Sequence, residues 1–61
     1  MKVYTCLTRY YDNEYKKYSV IQHIIIAEHC SEAAEKLREC IKDTEREFNL
    51  TATEFSIREE R

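Results

Sequence analysis

The segment Tyr18–Ala27, YSVIQHIIIA, has the composition of a β-strand yet carries apolar residues on both of its faces. β-branched side chains suit a pleated, half-buried surface, and successive side chains of a strand point to opposite sides of the sheet. Val20, Ile24 and Ile26 therefore share one side, while Ile21, Ile25 and Ala27 share the other. A strand covered on one side alone should alternate apolar with polar residues. This chain has 61 residues and the rest of it offers one helix as a cover, so a single copy leaves one apolar side in water. Exposed apolar surface of that kind marks a place where another chain docks.

A chain this short makes one domain, residues 1–61, and folding hides only about 60% of the surface that its unfolded form exposes. Domains of this size usually carry a staple: disulfides, a structural metal or a second copy of themselves. Disulfides are not expected. The three cysteines, Cys6, Cys30 and Cys40, are odd in number and fall in three different elements, unlike a secreted disulfide framework. A metal is not expected either. Beside those thiols the soft ligand types are His23 and His29, and the adjacent His29-Cys30 pair lacks the spacing that wraps one zinc ion. They read as a core or interface histidine, a loop histidine and small buried side chains. Self-association is the staple that remains.

Ten basic and twelve acidic residues leave a net charge of −2 with the two signs interspersed. A general nucleic-acid binder would more often be basic. No charged-then-apolar leader opens the chain, and its longest apolar run, Ile24–Ala27, is too short to cross a bilayer. A cytoplasmic location with reduced thiols is expected.

Glycine and proline are both absent, so turns that need a left-handed residue must use another type, most readily Asn. Asn13 and Asn49 are the two available. Asp12-Asn13 separates two Tyr- and β-branched-rich runs, so Lys2–Tyr10 and Tyr18–Ala27 are expected to form a hairpin with its tip near Tyr11–Lys17. Two registers are open: a tight turn pairs Leu7 with Tyr18, and a longer loop pairs Leu7 with Ile21 and Val3 with Ile25.

After the hairpin the period changes to that of a helix. Ser31 is a suitable N-cap, Glu32 and Glu35 place negative charge in the first turn, and Ala33, Ala34, Leu37, Cys40, Ile41, Thr44 and Phe48 trace one stripe. Glu32 with Lys36, Glu35 with Arg38, Glu39 with Lys42 and Asp43 with Arg46 are spaced for ion pairs along the opposite face. Asn49 fits the left-handed position that ends a helix, with Leu50 placed to fold back on the last turn. Thr51–Glu59 then alternates, Thr53, Phe55 and Ile57 on one side and Glu54, Ser56 and Arg58 on the other. The expected fold is α+β: a ββαβ unit whose three-stranded antiparallel sheet has the order 2-1-3, with one helix packed on one face. The second strand then lies at an edge, where isoleucines invite pairing with another chain. A two-fold dimer satisfies it, either edge to edge or through stacked helix-free faces, with Ile21, Ile24, Ile25 and Ile26 as its candidate contacts.

The hairpin tip gathers Arg9, Tyr10, Tyr11, Tyr15, Lys16, Lys17 and Tyr18. Tyrosine and arginine dominate protein hot spots, so Arg9, Tyr10, Tyr11, Tyr15 and Lys17 are the candidate contacts for a protein partner. The same mixture also stacks bases and holds phosphates, which makes a nucleic-acid accessory role the alternative, although Asp12 and Glu14 nearly neutralise the tip. A purely structural account also exists: cross-strand Tyr pairs steady the hairpin while lysines guard the sheet edge. No catalysis and no cofactor are expected, because the acidic residues mostly share the helix's outer face with basic partners and no phosphate-cradling glycine loop is present.

A Tyr-rich hairpin, then Ser31–Leu37 as SEAAEKL, then a last strand FSIREE, resembles the short ββαβ accessory proteins of bacteriophages and other mobile elements. The resemblance implies a host-interaction or counter-defence role in the host cytoplasm, in which a small protein binds and blocks a larger one. It assigns no residue. Taken together, the sequence is read as a homodimeric protein-binding module, an inhibitor or adaptor.

Overall fold

The computed structural model describes residues 1–60. Strand β1 (Lys2–Asp12), strand β2 (Lys17–Ala27), helix α1 (Cys30–Phe48) and strand β3 (Leu50–Glu60) follow one another, and the sheet has the order β2-β1-β3 with both pairings antiparallel. This is the α+β ββαβ arrangement expected from the sequence. The eleven-residue strands, rising about 3.4 Å per residue, account for the 38 Å long axis of the Cα envelope, which measures 18 Å and 13 Å across.

The register is neither of the two considered above. Leu7 pairs with Gln22 and Val3 with Ile26, because the loop holds four residues, Asn13–Lys16, between the paired ends Asp12 and Lys17. Asp12 organises that loop: its carboxylate accepts from the Glu14 and Tyr15 amides at 2.9 and 3.0 Å, and its carbonyl accepts from the Lys16 amide at 2.7 Å. The left-handed residue is consequently Lys16, at φ 54°, rather than Asn13. Asn13 instead ties the tip to the far side of the sheet, donating its Nδ2 to the Asn49 carbonyl and to Thr51 Oγ1, both at 3.0 Å.

Slipping a pairing by one residue exchanges the faces of a strand, and here it decides the core. Tyr4, Cys6, Thr8 and Tyr10 of β1 turn toward the helix and are buried, with Ile25 and Ala27 of β2 beside them. Ala33 and Leu37 close over Tyr4, Cys6, Ile25 and Ala27, and Ile41 and Ile57 pack against that cluster. The rest of the predicted helix stripe is less deep: Ala34, Cys40 and Thr44 are half-buried and Phe48 is exposed.

The helix begins earlier than Ser31 suggested. Its N-cap is His29 in extended conformation, making no side-chain cap bond, and the first helical bond runs from the Ala33 amide to the His29 carbonyl at 3.0 Å. Glu32, now at the third helical position, reaches back to accept from the Glu28 amide at 3.4 Å. At the other end Asn49 takes φ 54° and ψ 47°, the left-handed conformation expected of it.

Strand β3 departs from simple alternation. A bulge between the Arg9–Glu54 and Tyr10–Ala52 pairs leaves Thr53 as the extra residue, so the period-two alternation that grouped Thr53 with Phe55 and Ile57 is interrupted there. The irregular backbone is satisfied locally. Glu45 Oε2 accepts from the Ala52 amide at 2.8 Å, and Thr53 Oγ1 donates to the Arg9 carbonyl at 3.1 Å. Phe55, on the more apolar side of this strand, remains half exposed at this edge.

Candidate functional site: the open face of the sheet

The side of the sheet without a helix carries five cross-strand rows, ordered β2, β1, β3. They are Ile26–Val3–Glu60, Ile24–Thr5–Arg58, Gln22–Leu7–Ser56, Val20–Arg9–Glu54 and Tyr18–Tyr11–Thr51. Its β2 column is largely apolar, its β1 column mixes Val3 and Leu7 with Thr5, Arg9 and Tyr11, and its β3 column is polar and charged. Val20 is 64% exposed, Ile24 58%, Ile26 51%, Leu7 42% and Val3 41%. Five aliphatic side chains thus lie on one continuous surface facing water.

The opposite side makes the pattern sharper. Thr8 and Tyr10 are completely buried there, and among the described residues Thr8 Oγ1, Tyr10 Oη and His23 Nδ1 are buried without a hydrogen-bond partner. A buried polar atom left unpaired costs about 1–3 kcal/mol. The chain therefore sends polar groups under its helix while leaving Val3 and Leu7 outside, the reverse of what a solitary domain gains from.

Of the four isoleucines expected at a self-association surface, Ile24 and Ile26 stand on the open face, whereas Ile25 is a core residue at 6% exposure and Ile21 is half-buried on the same side as Ile25. Alternation along β2 separates them. The predicted partner-binding set divides likewise. Tyr10 belongs to the buried side, Arg9 and Tyr11 belong to the open face, and Tyr15 and Lys17 sit at the hairpin tip. Arg9 is held in place: its guanidinium lies 4.1 Å from the centre of the Tyr18 ring and 3.4 Å from Glu54, and Tyr18 meets Tyr11 edge-on at 5.2 Å. Tyr15 is 69% exposed, with the Lys17 ammonium 5.7 Å from its ring centre. Val3, Leu7 and Val20 were missing from the expected site; their signal was present, since all three fall on the parity of Ile24 and Ile26 once the register is known.

The sheet edges are partly answered. Lys36 Nζ donates to the Ile26 carbonyl at 2.7 Å while keeping its ion pair with Glu32 at 3.3 Å. Asp43 and Arg46 also pair, at 2.7 Å, whereas Glu35 with Arg38 and Glu39 with Lys42 are not bridged. The thiols are dispersed in environment: Cys6 is buried, Cys40 half-buried and Cys30 exposed. Burial raises the Cys6 thiol pKa, with smaller contributions from Cys30 and Cys40, and burial likewise raises the Tyr4 phenol. Among the described residues no three His, Cys, Asp or Glu side chains converge as metal ligands, and no helix is long and apolar enough to cross a membrane.

Comparison with known proteins finds no matching family model, no curated relative and no similar solved structure. The open face and the hairpin tip are therefore read from their own chemistry.

Proposed function

We propose that this chain is a small protein-binding module, an inhibitor or adaptor of a larger protein, that self-associates through the open face of its sheet. One observation carries the reading: five exposed aliphatic side chains form a continuous surface while Thr8 and Tyr10 occupy buried positions behind them. Such a surface, on a domain with so little interior, gains most by meeting protein. The hairpin tip supplies the grip on the larger partner. Tyr15 lies in the exposed hairpin loop and Lys17 pairs with Asp12 at its base, and aromatic anchors of that type concentrate binding energy. Arg9 is already engaged by Tyr18 and Glu54, and Asp12 and Glu14 offset Lys16 and Lys17 at the tip, so the tip offers little net positive charge to a phosphate backbone.

The test is retention of a partner from the cytoplasm of the cell in which the chain is expressed, compared between wild type and Tyr15→Ala/Lys17→Ala. The expected result is one protein species retained by wild type through rising salt and lost by the double variant, with an unchanged thermal midpoint. Retention of nucleic acid that falls steeply with salt would replace this reading with the nucleic-acid one.

A further inference from the structure

We infer that the occupant of the open face is a second copy of this chain, stacked face to face about a two-fold axis that runs along the Leu7–Gln22–Ser56 row, perpendicular to the strands. The inference rests on the self-association reading and fixes its geometry.

Size comes first. The Cα envelope of the whole chain is 38 by 18 by 13 Å, so its broad side approaches the roughly 800 Å² per partner of a standard stable interface. Edge-to-edge pairing is the competing arrangement, and it begins at a disadvantage, since the Ile26 carbonyl of β2 already accepts from Lys36.

Charge then selects the axis. A two-fold parallel to the strands lays β2 on the partner's β3 and sets Ile24 and Ile26 against Arg58 and Glu60, which strips water from charges without pairing them. An axis perpendicular to the strands lays each strand on its own copy, antiparallel, so the apolar β2 columns meet each other, the mixed β1 columns meet each other and the charged β3 columns meet each other. Its position along the strands is also constrained. Centred on the Val20–Arg9–Glu54 row it apposes Arg9 to the partner's Arg9 and Glu54 to the partner's Glu54. Centred on the Ile24–Thr5–Arg58 row it apposes Arg58 to the partner's Arg58. Like charges meet in both cases.

The central row alone resolves the conflict. With the axis along Leu7, Gln22 and Ser56, the Val20–Arg9–Glu54 row lies on the partner's Ile24–Thr5–Arg58 row. Val20 meets the partner's Ile24, Glu54 meets the partner's Arg58, and the two-fold repeats both contacts. Tyr18 meets the partner's Ile26. Gln22, a polar residue among aliphatic ones, sits on the axis where its amide can donate to and accept from the partner's Gln22. A shallow depression of about 300 Å³ bordered by Leu7, Arg9, Val20, Glu54, Phe55 and Ser56 lies where the partner's Arg58 descends. Arg58 is free to do so: its side chain is 81% exposed, and its own ion pair with Glu60 is long, at 3.8 Å. Stacked sheets cross at about 30°, so the match is closest in the three middle rows.

Two single charge reversals and their mixture test this arrangement by sedimentation equilibrium. Arg58→Glu alone places like charges at both symmetric contacts, and so does Glu54→Arg alone. Each is expected to weaken homodimerisation by roughly tenfold or more. An equimolar mixture restores two opposite-charge pairs in the heterodimer, which should form at near wild-type affinity. Ile24→Glu, at a position 58% exposed in the single chain, should abolish association while circular dichroism stays native; this separates face stacking from a β3 edge pairing, which leaves Ile24 untouched. A wild-type dimer with no rescue in the mixture, or one indifferent to Ile24→Glu, overturns the stacked geometry and leaves self-association standing. A monomeric wild type instead removes the self-association reading itself.

Discussion

The two faces of this sheet are made from the same strands and differ in what they ask of their neighbours. Under the helix, β1 presents Tyr4, Cys6, Thr8 and Tyr10, all essentially buried, and a small apolar cluster around Leu37 holds the layers together. On the other side β1 presents Val3, Thr5, Leu7, Arg9 and Tyr11, and β2 adds Val20, Ile24 and Ile26, with no layer above them. The covered face contains polar groups that a core would discard, and the open face contains aliphatic groups that a surface would discard. The two faces thus differ in opposite senses: the covered one is more polar than a core requires, and the open one is more apolar than a water-facing surface requires.

The sharpest way to break this contrast is to truncate one residue on each side. Leu37 is fully buried, so Leu37→Ala should destabilise the single chain by about 2–5 kcal/mol. Ile24→Ala, measured below any association midpoint, should cost no more than about 0.5–1 kcal/mol, because the side chain already meets water. Comparable losses in urea titration would show that the open face is a second core. Phe55→Ala belongs with the smaller effects, since Phe55 is half exposed.

Two threonine hydroxyls of β1 are satisfied differently, Thr8 Oγ1 having no partner and Thr5 Oγ1 having one. Thr8→Val removes a buried oxygen that has no partner and keeps the shape of the side chain, so it should stabilise by about 1 kcal/mol. The same exchange at Thr5, whose hydroxyl donates to Glu60 at 2.7 Å near the surface, should be neutral or slightly unfavourable. Equal effects at the two sites would contradict the assignment of Thr8 to a starved interior.

The smallest effect at neutral pH, and one that grows with alkali, comes from Tyr4 and Cys6. Burial raises both acidities' pKa values above their unfolded ones, so the folded state binds the protons more tightly. The associated stability is complete below the unfolded pKa values and is lost as pH rises through the folded ones. Alkaline unfolding should therefore accompany ionisation of Tyr4, seen as a step in phenolate absorbance that coincides with loss of helical signal. Thiol labelling gives the parallel order: Cys30 first, Cys6 only on unfolding.

The architecture was legible because its signals are strong and local. Helical period over Ala33–Ile41, left-handed Asn49 and the two-sided apolar run in β2 suffice to define ββαβ with the order β2-β1-β3. The assignment of faces was not legible, because it depends on one residue of register. That register is set by Asp12, whose carboxylate gathers two amides and lengthens the turn to a Lys16 in left-handed conformation, a position where sequence alone favours Asn or Gly. Once the faces are assigned, Ile25 and Tyr10 leave the candidate site for the core, and Val3, Leu7 and Val20 enter it. The bulge at Thr53 was equally hidden, since its backbone is satisfied by Glu45 from the distant helix.

If the open face is an interface between copies of this chain, sedimentation equilibrium of the wild-type protein at micromolar concentration should detect it. The expected result is a species of twice the 7.4 kDa chain mass that persists, or tightens, as salt is raised, and that reverts to a single chain in Ile24→Glu without loss of helical signal. A wild-type chain that sediments at its single-chain mass throughout that range would contradict such an interface.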